Sequence, residues 1–193
     1  MDVEKICIKI PILGPLKSGK TSIANYLADS DDSISNKEYR PTQGVRIVEF
    51  ESNQLELEGE RVNAEVELWD CSGDRRFETC WPAIRHHSNG AIFVCNPEEH
   101  NGSDLLIWYN EFALKTGIRP KNLMCLLHRQ STERIDGESS IAEFRLPMEM
   151  GDITCLPLTL SEMAKNSDWN STISCVKSLP THKLTIINLH SGR

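Results

Sequence analysis

Residues Gly14 to Thr21 read GPLKSGKT, a glycine followed after four residues by glycine, lysine and threonine. This is the spacing of a backbone loop that cradles phosphates. Ile6 to Leu13 precedes it as a mostly apolar run suited to a buried strand, and Thr21 to Ala28 follows with Ile23, Tyr26 and Leu27 at helical spacing. A strand, a tight glycine loop and a helix in that order fit an α/β sheet far better than an all-helical or all-β fold. Gly14 and Gly19 let successive N–H groups turn toward one anion, and the helix beginning at Gly19 or Lys20 adds its positive end. Lys20 then supplies a mobile charge for the terminal phosphates, and the Thr21 hydroxyl a hard oxygen for Mg²⁺.

The remainder of the chain supports that architecture. Strands are expected at Val45 to Glu51 and Val62 to Trp69, joined near Glu58-Gly59, and again at Ala91 to Cys95, Leu123 to Leu127 and Ile153 to Leu158. Val62, Ala64, Val66 and Leu68 alternate with Asn63, Glu65 and Glu67, which gives one buried face and one acidic, wet face. Between the strands, Ser103 is expected to cap a helix running to Lys115, and a short helix is expected near Ser140 to Arg145. A final helix from Asp168 to Leu179 stops at Pro180, and the tail from Lys183 to Leu189 is apolar enough to dock. Such alternation predicts a doubly wound, mostly parallel sheet of six strands with one antiparallel edge strand, flanked by helices in three layers. At 193 residues the chain reads as a single domain, 1–193.

Charge and cysteine usage narrow the function. A net charge of -7 and no basic block argue against nucleic-acid binding, so an anionic ligand must be held by a local device. Seven scattered cysteines without a C-x-x-C pair suit free thiols in a reducing compartment. His86 and His87 are adjacent, unlike metal ligands on one helical face, and read as helix-end residues. MDVEK leads directly into the first strand, leaving no room for a signal peptide, and the end segment 181–193 carries no cysteine placed for prenylation. No direct membrane anchor is expected.

Two further segments complete the candidate site. The polar stretch Asp29 to Arg40 ends in Pro41-Thr42-Gln43-Gly44, where Thr42 offers a second hydroxyl to Mg²⁺ and the terminal phosphate, although the same residues also suit a plain turn. Trp69-Asp70-Cys71-Ser72-Gly73 sets a carboxylate at a strand end and a glycine three residues on, so that Asp70 can hold a Mg²⁺-bound water and the Gly73 N–H can approach the γ-phosphate. Phe77 and Trp81 read as packing residues, while a partly exposed Trp81 would suit a protein interface.

GPLKSGKT, the loop ending in Thr42, WDCSG and the strand-final segments where a base would be read occur in the order used by Ras-like small GTPases, and the chain resembles that family. PTQGVRIVEFE, ELWDCSGD and FETCWPAI are most similar to the Rab-like GTPases of intraflagellar transport, the Rab-like five type, over roughly residues 5 to 127. The resemblance implies a P-loop G domain that binds GTP or GDP with Mg²⁺, in cytoplasm and cilium or flagellum, bound to the coiled-coil heterodimer of the intraflagellar transport B complex. It implies nucleotide contacts from Gly14, Leu16, Lys17, Ser18, Gly19, Lys20, Thr21 and Ser22, from Thr42 and Gly73, and from base-facing His128, Arg129, Ser131, Thr159 and Ser161. Thr21, Thr42 and Asp70 would hold the metal.

Three departures from the family pattern bear on turnover and on base choice. Asp74 follows Gly73 where active members carry a glutamine that orients water, and its charge would oppose the phosphate. Leu16 is bulky where a very small residue is usual. His128-Arg129-Gln130-Ser131 stands where an asparagine, lysine, any residue, aspartate run reads guanine, and Ser131 can make at most one of the two contacts of the missing aspartate. No catalytic residue is therefore expected. Three functions remain: a nucleotide-dependent adaptor, a slow GTPase completed by a helper protein, or a structural module.

Overall fold

The computed structural model describes residues 6–28, 39–57, 60–129 and 143–159. The helix expected at Asp168 to Leu179, the turn at Glu58-Gly59, the tail from Lys183 and the first half of the segment Ser140 to Arg145 lie outside the described residues.

Six strands form one sheet: β1 Ile6–Leu13, β2 Val45–Leu57, β3 Glu60–Cys71, β4 Ala91–Cys95, β5 Leu123–Arg129 and β6 Thr154–Thr159. Their spatial order is β2-β3-β1-β4-β5-β6. β2 and β3 pair antiparallel, and every other pair is parallel. The expected class is correct. β2 and β3 run several residues further than the apolar alternation suggested, because pairing continues past an irregularity between Ser52 and Leu55 to Leu57 opposite Glu60. β6 starts one residue late, since Ile153 closes a turn onto the Met150 carbonyl.

Among the described residues, three short α-helices cover the sheet: α1 Lys20–Leu27, α2 Trp81–Arg85 and α3 Leu106–Tyr109. α1 packs Ile23 and Ala24 against Ile8, Ile10, Ile12, Leu68, Ile92 and Leu126 on one face. On the other face, α2 and α3 bring Trp81, Ile84 and Trp108 against Leu13, Phe93, Cys125 and Leu127. Burial of each such side chain contributes about 1.5–3 kcal/mol, and this anchors helices too short to persist alone. Trp81 is only 5% exposed and meets the Phe112 ring edge-on at 5.7 Å, so it belongs to the core and not to an interface.

The α3 region departs from the expected continuous helix. Asn101, not Ser103, is the cap: its side chain accepts from the Ser103 N–H while Asp104 accepts from the Asn101 N–H. A 3-10 turn at Gly102–Leu105 leads into α3, and the chain then widens into a π-turn at Asn110–Leu114. There Phe112 and Ala113 face inward while Glu111 reaches Arg85 of α2 at 2.9 Å.

Successive crossovers leave β1 in opposite directions, toward β3 on one side and β4 on the other. The crevice beyond the carboxyl end of β1 is the topological switch point, where open α/β sheets bind ligands. The loop from Gly14 begins there.

Candidate functional site

Gly14 through Gly19 form a loop wrapped around the Lys20 side chain. Lys20 lies in the first turn of α1, yet its Nζ points back to donate to the carbonyls of Gly14 at 2.9 Å and Pro15 at 2.6 Å, with the Ser18 hydroxyl at 3.3 Å. The side chain is 6% exposed, and burial lowers its pKa to about 8 against the upward pull of Asp70 and Cys71. Gly19 takes a left-handed φ of 93°, and a Cβ there would sit 2.1 Å from His128 Nδ1. α1 has no side-chain cap, so its first N–H groups remain available to an anion. At the rim, the Lys17 N–H donates to the Tyr39 hydroxyl at 3.2 Å, so the segment before Thr42 reaches over the loop.

Beside the loop, three oxygens converge. Thr21 Oγ1 lies 3.0 Å from Thr42 Oγ1 and donates to Asp70 Oδ2 at 2.8 Å, and Thr42 Oγ1 is 3.4 Å from the same carboxylate oxygen. Asp70 is fully buried; burial raises its pKa, while the Thr21 hydrogen bond, Arg46, Lys20 and Thr42 oppose the rise. Two hydroxyls and a carboxylate are a hard oxygen set that fits Mg²⁺, and Asp70 Oδ1 has no hydrogen-bond partner among the described residues. Ser22 follows on α1, half-buried. The Ser72 N–H donates to the Gly44 carbonyl at 2.8 Å, stitching the Thr42 segment to the end of β3.

Gly73 closes the site from the other side. A Cβ at this position would lie 2.5 Å from the Leu16 nitrogen and from the Pro15 carbonyl carbon, so only glycine lets the two loops touch. Leu16 is 41% exposed at the mouth. Asp74 is not aimed at the loop. It caps the 3-10 turn Arg75–Cys80, accepting the Arg76 N–H, and forms an ion pair with the Arg76 guanidinium that holds its pKa below the usual carboxylate range.

The base-facing set is only partly assembled by the described residues. His128 is buried against the phosphate loop at Gly19, with its pKa lowered by burial and pulled weakly back by the Ser18 backbone. Arg129 ends β5 directly opposite Thr159, the last residue of β6. Ser131 and Ser161 lie outside the described residues.

Three residues of the site are absent from the sequence reading: Tyr39, Asn25 and Arg46. Arg46 carried a signal, since it occupies an inward position of β2 in line with Val48 and Phe50, where an apolar residue belongs.

Comparison with known proteins places these features among relatives. The family model described as the Ras of Complex, Roc, domain of DAPkinase matches residues 9–130. The Caenorhabditis elegans intraflagellar transport associated protein 2 is 39% identical over 166 residues, covering 72% of this chain and 66% of that protein. The Danio rerio intraflagellar transport protein 22 homolog is 41% identical over 124 residues, covering 64% of this chain and 66% of the relative. The chain thus spans just under two thirds of the length of these relatives. The GDP-bound T. brucei IFT22 crystal structure superposes with a TM-score of 0.63 at 27% identity, covering 89% of this chain and 94% of that one. The GTP-bound T. brucei IFT22/74/81 crystal structure gives 0.63 at 28% identity, covering 87% and 95%.

Proposed function

The chain belongs to the Ras-like GTPase family, matching its Ras-of-complex branch over residues 9–130, and from that premise we propose that it is a GTP- and GDP-binding adaptor of the intraflagellar transport machinery. The observation that carries this reading is the meeting of Thr21, Thr42 and Asp70 within 3.4 Å, because it joins a loop able to respond to a nucleotide with the strand end that anchors the site. Lys20 and the amides of Gly14 to Gly19 hold the phosphates. Mg²⁺, when bound, neutralises phosphate charge between Thr21, Thr42 and Asp70. Thr42 and Gly73 are ordered by the terminal phosphate, and a partner reads the ordered surface. A relative crystallised in an IFT22/74/81 complex supports a partner among the intraflagellar transport proteins; the partner proposed is the coiled-coil heterodimer of the B complex, in cytoplasm and cilium or flagellum. No helix among the described residues is long and apolar enough to cross a membrane.

Hydrolysis is assigned a minor part, because Asp74 serves as a cap engaged by Arg76 and Leu16 stands at the mouth. The direct test is mass spectrometry of the nucleotide carried by freshly purified protein, with calorimetry on Lys20→Ala. Guanine nucleotide in the wild type and loss of binding in the variant are expected. Wild-type affinity in Lys20→Ala would remove the reading.

A further inference from the structure

Arg46 is placed where a strand residue should be apolar, and its side chain is spent on the site. It stands directly opposite Asp70 in the β2–β3 register, with Nε 3.6 Å from Asp70 Oδ2 and a terminal nitrogen donating to Asn25 Oδ1 on α1. Asn25 is itself buried, and Arg46 Nε is buried with no hydrogen-bond acceptor among the described residues. A guanidinium keeps its charge at every accessible pH, and Asp70 is fully buried, so the pair sets a permanent positive charge beside the carboxylate that the divalent ion needs.

Thr42 and Arg46 approach the same oxygen by different means. Thr42 arrives on the segment preceding β2, while Arg46 is fixed by backbone pairing of β2 with β3 and by Asn25. Arg46 therefore keeps Asp70 compensated whatever position the Thr42 segment takes. We propose that Arg46 is a resident cation of this site, a positioning residue that shares Asp70 with the divalent ion and lets the protein retain nucleotide when Mg²⁺ is withdrawn. The inference rests on the nucleotide-binding reading above.

Release of a fluorescent GDP analogue from the full chain, in millimolar Mg²⁺ and then in excess EDTA, tests it. In Mg²⁺, Arg46→Met should release within about threefold of wild type; in EDTA it should release about tenfold faster, a scale below that of a fully desolvated charge pair because the Arg46 side chain is 40% exposed while Asp70 is buried. Arg46→Lys, which keeps the charge without the two-sided fork, should fall between them. An equal change in both conditions, or an Arg46→Lys rate in EDTA matching Arg46→Met, would overturn the proposal. Circular dichroism melts check folding, and Arg46→Gln replaces the methionine variant if its melt is not cooperative. A wild type that binds analogue in Mg²⁺ but sheds it in EDTA as fast as Arg46→Met defeats this inference alone. A wild type that binds none even in Mg²⁺ defeats the site reading and this inference together.

Discussion

Arg76 engages Asp74 from both its side chain and its backbone: Nε and Nη2 lie 2.8 and 2.7 Å from Oδ2, and the Arg76 N–H lies 3.0 Å from Oδ1. The carboxylate at the position of the water-orienting residue is thus committed to ordering the turn that follows it. Intrinsic GTP hydrolysis should run at or below about 10⁻⁴ s⁻¹, the unassisted scale of this class. Asp74→Gln gives up the ion pair and restores an orienting amide, so the gain should be modest, and Leu16→Gly should help only with an activating partner present. Single-turnover assays with γ-labelled GTP on the three proteins measure this. A wild-type rate well above that scale, without a partner, would make the chain an autonomous enzyme.

Lys20 ties affinity to pH. Its folded pKa of about 8 lies below the ordinary lysine value, and a bound polyanion draws it back up. Binding then takes up a proton above pH 8, so nucleotide affinity should fall by about tenfold between pH 7 and pH 9. The ligand-free fold responds with the opposite sign. Between the folded value and 10.5 the unfolded chain binds more protons, so the Lys20 contribution to stability rises with pH through that window. Calorimetric titrations and thermal melts at both pH values check the pair of trends, and affinity that is flat with pH would show that Lys20 does not meet the phosphates.

Gly73→Ala should damage binding more than folding. The added methyl would press on backbone atoms of Pro15 and Leu16, which no side-chain rotation can clear. Moving the phosphate loop weakens hydrogen bonds to a charged ligand, each worth about 1.5–3 kcal/mol, so GTP affinity should drop by about 10- to 100-fold with little change in melting temperature. An alanine variant that binds normally would mean the two loops do not need this contact.

Base selectivity should be weak. His128 is buried against the phosphate loop, and the sequence carries Ser131 at the position where the family resemblance expects an aspartate. Competition of GTP and ATP should give a preference below the roughly 10⁴-fold expected of a site built around such a donor–acceptor pair. A larger preference would point to base contacts from other residues.

What could be read from the sequence was what depends on neighbours in the chain. GPLKSGKT, the β1 apolar run and the strand-end Asp70 are local patterns; the structure sets Thr21, Thr42 and Asp70 within 3.4 Å of one another and folds the Lys20 side chain onto its own loop. Arg46 escaped because its meaning comes from cross-strand register with Asp70, 24 positions along the sequence, and from Asn25 on a helix before the strand. Spacing alone presents Asp74 as a charge opposing the phosphate, because its clasp by Arg76 depends on the geometry of the 3-10 turn that follows. The cap of the α3 region was misassigned to Ser103, two residues from Asn101, since both types cap well and only the reciprocal contact with Asp104 separates them. His128 was assigned to the base, yet its ring lies on Gly19, a contact made by the packing of β5 beside the loop.

β2 ends the sheet, and among the described residues no strand lies beyond its outer edge. On its exposed face Glu49 and Glu51 stand directly opposite Glu67 and Glu65 of β3. Glu67 also accepts from the Trp69 indole at 2.9 Å, so the inner carboxylates carry contacts of their own. Any second chain adding to this edge must bring its backbone alongside Glu49 and Glu51, which protects against edge-to-edge aggregation. Replacing those two with neutral residues would remove that protection and make the protein less soluble.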